Sequence, residues 1–149
     1  MKKLTTILAG LFLLFSASAF RPSDVNVSAR IKSNFEKDFV SYSDVTWTKK
    51  EDLYVASFKT EDQKLVAAYN DNGDLLGVSR EITLAKLPLG VSLALQSKYA
   101  GYNINDTVIE LLAEGTTYFI NAENEKYQVK LQADTAGNIT VINKAKKKH

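Results

Sequence analysis

The chain has 149 residues, with 19 lysines and arginines against 17 aspartates and glutamates, a formal net charge of +2. It holds no cysteine, and its single histidine is the final residue, His149. That composition excludes disulfide staples, zinc sites built from cysteine and histidine, and nucleophilic catalysis that leans on a positioned histidine.

The N-terminus reads as a cleavable secretory leader. Lys2 and Lys3 give a cationic start, Ile7 to Phe15 is an unbroken apolar run, and Ala17-Ser18-Ala19 supplies a small-x-small cleavage site. Cleavage is expected after Ala19, leaving a mature protein from Phe20. An uncleaved anchor would need roughly 20 apolar residues, about twice this run. No other stretch is apolar enough to span a bilayer, so no stable membrane insertion is expected after cleavage, and the product is placed in the periplasm or the medium. Removing Lys2 and Lys3 brings the basic residues level with the 17 acidic ones. Four more lysines (144, 146, 147 and 148) crowd the end of the chain, so residues 144–149 read as a solvated basic tail. Without them the body has 13 basic residues against 17 acidic, or −4. A nucleic-acid footprint needs cations clustered on the folded surface, and this count argues against one.

Residues 20–143 are enough for one domain with a hydrophobic core. From Asp24 to Val40, apolar Val27, Ile31, Phe35 and Phe39 recur every four residues, the stripe of a helix that Ser23 or Asp24 would cap. Strand-like pieces follow at Val45–Thr48, Leu53–Phe58, Lys64–Tyr69 and Leu75–Val78. Asn72-Gly73 before the last of these is a hairpin signal, since both residues tolerate positive φ.

The second half repeats the order. Pro88 suits the start of a helix, Leu87, Val91, Leu95 and Tyr99 make the stripe, and Gly101 marks a stop. Strands are expected at Thr107–Leu112, Thr116–Ile120, Tyr127–Ala133 and Ile139–Ile142. The turn at Asp71–Gly73 matches Asp134–Gly137, and Phe39-x-x-Tyr42 matches Tyr99-x-x-Tyr102. The expected fold is therefore α+β, with two tandem repeats at about 24–80 and 84–143. Each repeat is one helix followed by a roughly four-stranded antiparallel sheet, with the helices on one side.

Chemistry-bearing motifs are sparse. Setting Gly73 at the sixth position of a calcium loop puts Ala68 first and Ser79 last, where acidic ligands belong. No glycine-rich phosphate loop is present. The carboxylate pairs Glu51-Asp52, Glu61-Asp62 and Glu123 with Glu125 fall in expected turns, where solvated charge is their ordinary role. No catalytic residue, metal site or cofactor is expected.

The strands themselves are less ordinary. In Leu53–Phe58 one face carries Leu53 and Val55, the other Tyr54, Ala56 and Phe58; Tyr118 and Phe119 likewise point to opposite faces. Either the sheets bury both faces, by folding over one another or by dimerising, or one aromatic face meets a partner. Tyr54, Phe58, Tyr69 and Tyr118 are the candidate contacts for a protein or peptide. Trp47 joins them, although it shares a face with Val45 and also suits the core.

The series Val45-x-Trp47, Tyr54-x-Ala56-x-Phe58, Ala67-x-Tyr69, Asp71-x-Gly73, Ile82, Leu87-Pro88, Tyr99-x-Gly101-Tyr102 and Tyr127-x-Val129 resembles the PepSY-like, beta-lactamase-inhibitor-like family of small exported proteins common in Bacteroidota. The likeness covers nearly all the mature chain and is loosest between Asn103 and Ala113. It implies tandem α/β repeats with helices backing antiparallel sheet, and no enzymatic activity. The favoured function is an exported, non-enzymatic binding module with a protein or peptide partner. Inhibition or regulation of an envelope peptidase or hydrolase is the alternative, and a homodimeric structural or stress protein the third.

Overall fold

The computed structural model describes residues 25–148. The leader read at residues 1–19, the expected caps Ser23 and Asp24, and His149 lie outside them. In chain order the elements are α1 (Ala29–Asp38), β1 (Ser43–Lys50), β2 (Leu53–Lys59), β3 (Lys64–Tyr69), β4 (Leu75–Thr83), a 3₁₀ turn (Leu84–Lys86), α2 (Leu89–Lys98), β5 (Asn103–Leu112), β6 (Thr116–Glu123), β7 (Tyr127–Asp134) and β8 (Ile139–Lys146).

Two repeats, each a helix with its own four-stranded sheet, are not what forms. The eight strands make a single antiparallel sheet in the order β1 to β8, and strand outweighs the two ten-residue helices. Within β1–β4 and within β5–β8, strands joined by short connections pair with their sequence neighbours; β4 and β5, joined through the 3₁₀ turn and α2, are neighbours in the same sheet. β4 runs to Thr83, although apolar content marked only Leu75–Val78. Its second half, Ser79 to Thr83, is mostly polar, with Ile82 alone reaching the hydrophobic core.

The chain divides between Arg80 and Glu81 into two compact units. In the first, α1 starts later than Asp24 because Ser28 is its cap: the Ile31 N–H donates to Ser28 Oγ at 3.3 Å. The expected stripe holds. Val27, Ile31 and Phe35 are buried against Ala56 and Phe58 of β2 and Ala67 and Tyr69 of β3. The Tyr69 hydroxyl donates to Asp38 Oδ2 at 2.8 Å, tying β3 to the last turn of α1.

The β3–β4 turn differs from a two-residue Asn-Gly hairpin. The Gly73 N–H donates to Asn70 O at 3.0 Å, the Asn70 N–H to Asp74 O at 3.1 Å, and Gly73 alone among the turn residues has positive φ, +84°. Asn34 of α1 then donates from Nδ2 to Gly73 O at 2.7 Å, pinning the turn to the helix. Asn34→Ala is expected to lower stability by about 1 kcal/mol, read from the urea midpoint at unchanged m.

Tyr69 adds a pH dependence. Burial first, and the hydrogen bond to Asp38 second, hold its phenol well above the ordinary value of 10. The folded state therefore favours neutral Tyr69. Its contribution is complete below pH 10 and is lost as the pH rises beyond that value. The urea midpoint should fall between pH 9 and pH 11, and less steeply in Tyr69→Phe; equal slopes in the two proteins would contradict this.

In the second unit, Leu87, Val91 and Leu95 pack on Val108, Ile120 and Leu131. Pro88 precedes the first helical residue as the cap, and does not occupy the first turn itself. The β7–β8 turn resembles Asn70–Asp74. Gly137 has φ +90° and donates to Asp134 O at 3.1 Å. Asp134 Oδ1 accepts from the N–H groups of Ala136 (2.9 Å) and Asn138 (3.0 Å), and Oδ2 from Asn138 Nδ2 (2.7 Å). Those bonds, the Asn138 side chain foremost, hold the Asp134 carboxyl below its usual range.

The basic tail is shorter than expected. β8 continues through Lys146, because Tyr127 pairs with Lys146 and Val129 with Lys144 across the β7–β8 ladder after the apolar signal has ended at Ile142. Lys144 Nζ lies 4.1 Å from the Tyr127 ring centroid, and the Lys147 N–H donates to Lys126 O at 2.9 Å. Lys144 and Lys146 are thus fixed along a strand, and Lys147 is tied just beyond its end.

Candidate functional site

The strands place the five candidate aromatics on packing faces. Alternation along β2 sends Tyr54, Ala56 and Phe58 to one side, and Trp47 pairs with Ala56, so all share the side that packs on α1. Tyr69 joins them from β3, and Tyr118 lies on the α2 side of β6. Phe58, Tyr69 and Tyr118 are at most 5% exposed, and Trp47 and Tyr54 are half-buried. Tyr54 keeps one polar contact, accepting from Lys49 Nζ at 3.0 Å. The opposite face of these strands is closed as well: Val55, Val66 and Ala68 are buried, as are Leu111 and Phe119. Of the two alternatives left open for these strands, burial of both faces is the one that forms, and Phe58, Tyr69 and Tyr118 present no aromatic face to solvent. Large rings fill the helix side, where burial gains most.

A different surface opens farther along β6. Beyond buried Phe119, the face turned away from α2 carries Asn121 and then Glu123, while Ile120 and Ala122 point into the α2 core. Register aligns these residues into rows across the strands. Asn121 pairs with Lys130, and Lys130 with Asn143, so three polar side chains stand abreast on β6, β7 and β8. The neighbouring row is Asn103, Glu123, Gln128 and Ala145, drawn from β5 to β8. The two rows lie about 7 Å apart along the strands.

Irregular pairing shapes the flanks. Between the pairs Ile104↔Ala122 and Val108↔Ile120, β5 has three residues where β6 has one, so Asn105-Asp106-Thr107 bulges outward. Asn105 Oδ1 accepts the Thr107 N–H at 2.9 Å and fixes that bulge. On the other side β8 slips register opposite Lys130 and Leu131, leaving Ile142 unpaired. Bulges bend and twist a strand locally and re-aim its side chains. Between the two irregular strands lies a groove of about 680 Å³, floored by Asn121, Gln128 and Lys130 and flanked by Asp106 and Asn143. A polar depression bordered by Glu125 and Lys126 continues from it and shares Asn103 and Glu123.

The chemistry on offer is hydrogen bonding in both directions. Each Asn or Gln has two donors and an acceptor, and Asn103, Asn105, Asn121, Gln128 and Asn143 all line the groove. Glu123 accepts from Gln128 Nε2 at 3.4 Å and pairs with Lys147 Nζ at 3.1 Å. The Lys147 bond first, and Gln128 second, push its carboxyl below the usual value, so it stays ionised. That disposition suits recognition and not proton donation. Among the described residues no group of three or more His, Cys, Asp or Glu is placed to hold a metal ion. No described helix is long and apolar enough to cross a membrane. None of the groove residues stood out in the sequence as a binding candidate. The one hint was the loosened motif pattern between Asn103 and Ala113, where the β5 bulge lies.

No family model and no curated protein matches the chain. Solved structures do. A BLIP-like protein from Bacteroides fragilis is similar with a TM-score of 0.69 at 20% identity, over 82% of this chain and 87% of that one. A DUF2874 family protein from Bacteroides uniformis has a TM-score of 0.70 at 14% identity, over 81% and 90%. A "putative periplasmic" protein from Bacteroides eggerthii has a TM-score of 0.70 at 12% identity, over 82% and 90%. The chain thus has the fold of BLIP-like and DUF2874 proteins of Bacteroides, in agreement with the resemblance carried by its aromatic motifs.

Proposed function

We propose that this chain is a non-enzymatic binding module of the bacterial envelope, and that it holds a protein or peptide partner in the polar groove of β5–β8. The observation that carries this is the groove itself: two cross-strand rows of amide and charged side chains, exposed to solvent and flanked by bulged strands. Sheet faces that merely meet water need no such flanks. The leader agrees with an envelope location, as does the fold shared with a Bacteroides eggerthii protein named as periplasmic. The fold shared with a BLIP-like protein agrees with binding in place of catalysis.

A photo-crosslinking residue tests this in cells. Placed at Asn121 or Gln128 it should yield a discrete adduct, and placed at exposed Ser97 on α2 it should not. The captured partner, once purified, should bind the mature chain at least tenfold more weakly after Asn121→Trp, which fills the groove floor. Adducts of equal yield from both faces, or affinity untouched by Asn121→Trp, would refute the groove as the site.

A second function, inhibition or regulation of an envelope peptidase or hydrolase, draws on the shared fold of the BLIP-like protein. It predicts that the mature chain slows at least one enzyme of an envelope peptidase and lactamase panel, and that Asn121→Trp relieves the effect. A panel without any inhibition removes it.

A further inference from the structure

The groove has one cation that the fold leaves unanswered. Lys147 is paired with Glu123 at 3.1 Å, Lys59 with Asp44 at 3.0 Å and Lys49 with Asp71 at 3.8 Å. Lys130, on the groove floor, has no carboxylate within ion-pair distance among the described residues. The nearest acid by register, Glu123, is one row away and already held by Lys147 and Gln128. Asp106 stands on the flanking bulge of β5, with β6 between it and β7. Two strand spacings are about 10 Å, comparable to the Debye length at physiological salt, so Asp106 does little to cancel the Lys130 charge. On either side of Lys130, in the same row, stand Asn121 and Asn143. Their carboxamides can turn an NH₂ toward an anion lying over the lysine.

We infer that Lys130 is the anchor for a carboxylate of the bound peptide, an Asp or Glu side chain, with Asn121 and Asn143 donating beside it. The inference rests on the groove being the peptide site and adds the chemistry of what occupies it. An ammonium flanked by two carboxamides supplies donors from three adjacent strands. A carboxylate has acceptor sites enough for all of them, and such charge-assisted bonds are the strong ones. A neutral segment would leave the ammonium without a counter-charge. A basic one would be repelled by it.

The experiment uses the labelled mature chain on an array of randomised decapeptides. Bound peptides should be enriched in Asp and Glu. A selected peptide should lose about tenfold or more in affinity on Lys130→Gln, and as much when its acidic residue is replaced by its amide. Lys86→Gln, outside the groove, should leave affinity unchanged. Both positions are exposed, and equal urea midpoints confirm that each variant folds. Binding that Asn121→Trp abolishes, but that shows no acidic enrichment or is indifferent to Lys130→Gln, overturns the anchor while leaving the groove. Binding unaffected by Asn121→Trp overturns both. Oligogalacturonate serves as the competing carboxylate source, and capture of it by a chain that ignores acidic peptides overturns the peptide assignment.

Discussion

Gly137→Ala is expected to cost the second unit at least about 3 kcal/mol, most of what a marginal domain can lose before it unfolds. Two effects add. The residue sits at φ +90°, where an L side chain costs roughly 1–2 kcal/mol. A Cβ placed there would also press on backbone: it meets Gly90 O, with Gly90 C at 2.7 Å and Val91 N at 3.3 Å. Neither can swing aside, because both belong to the first turn of α2, whose Val91 is anchored in the core. Gly90 faces the same crowding, since its own Cβ would stand 2.9 Å from Ala136 O. The comparable turn of the first unit gives an internal contrast. At Gly73 the φ penalty is similar, but the added Cβ meets side chains, Asn34 Nδ2 at 3.0 Å and Arg30 Cγ at 3.2 Å. Those can shift, so Gly73→Ala should cost about 1–2 kcal/mol less than Gly137→Ala. Gly115 has nothing within 4 Å and no positive φ, and its alanine variant should lie within about 0.5 kcal/mol of the parent. Urea melts of the three variants rank the effects; equal midpoints for Gly137→Ala and Gly115→Ala would refute the account of the turn.

Phe35→Ala is expected to be as damaging to the first unit, at roughly 3–5 kcal/mol. Phe35 is the ring that joins the others. Its centroid lies 4.8 Å from Tyr42, 5.0 Å from Phe58, 5.2 Å from Phe39 and 5.3 Å from Trp47. Tyr69 is slightly farther, at 6.4 Å. Truncation leaves a cavity walled on the sheet side by buried Phe58 and Tyr69, which are fixed in their strands and cannot collapse into it. Phe35→Leu keeps much of the volume and should cost less than half as much. Trp47 is the only tryptophan in the chain and reports on this cluster directly. Its emission should shift to longer wavelength in Phe35→Ala under native conditions, as water reaches the half-buried indole. An unshifted spectrum with an unchanged melting midpoint would contradict the central place of Phe35.

Some of this architecture was legible in the sequence. The four-residue stripes Val27-Ile31-Phe35 and Leu87-Val91-Leu95 mark the buried helix faces, because a helix returns a side chain to one side every 3.6 residues. The starts of most strands were also legible. The missed ends were mostly polar: Lys49–Lys50 in β1, Ser79–Thr83 in β4, Asn121–Glu123 in β6 and Asn143–Lys146 in β8, where ladder pairing carries a strand beyond its main apolar run. Continuity of the sheet was invisible for a related reason. Alternation tells a strand which sides it has, but not which neighbour follows it.

The aromatic binding candidates lie on packing faces. Tyr54, Phe58, Tyr69 and Tyr118 drew attention because both strand faces looked apolar, yet Phe58, Tyr69 and Tyr118 are buried and Tyr54 is half-buried. Gln128 and Lys130 looked like the ordinary wet side of a strand, and Asn121 and Asn143 lay just past the expected strand ends. Their meaning lies in register, which sets them abreast, and in two bulges, of which only the one in β5 left a trace, the loosened pattern between Asn103 and Ala113.

The central claim is that the polar groove of β5–β8, on the face turned away from α2, is where this protein binds. Amide hydrogen exchange on the mature chain, with and without the partner captured at Asn121, tests that most directly. Protection is predicted at Asn103–Thr107, Asn121–Glu123 and Gln128–Lys130, with α2 unchanged. Protection confined to α2, or to the first unit, would contradict it.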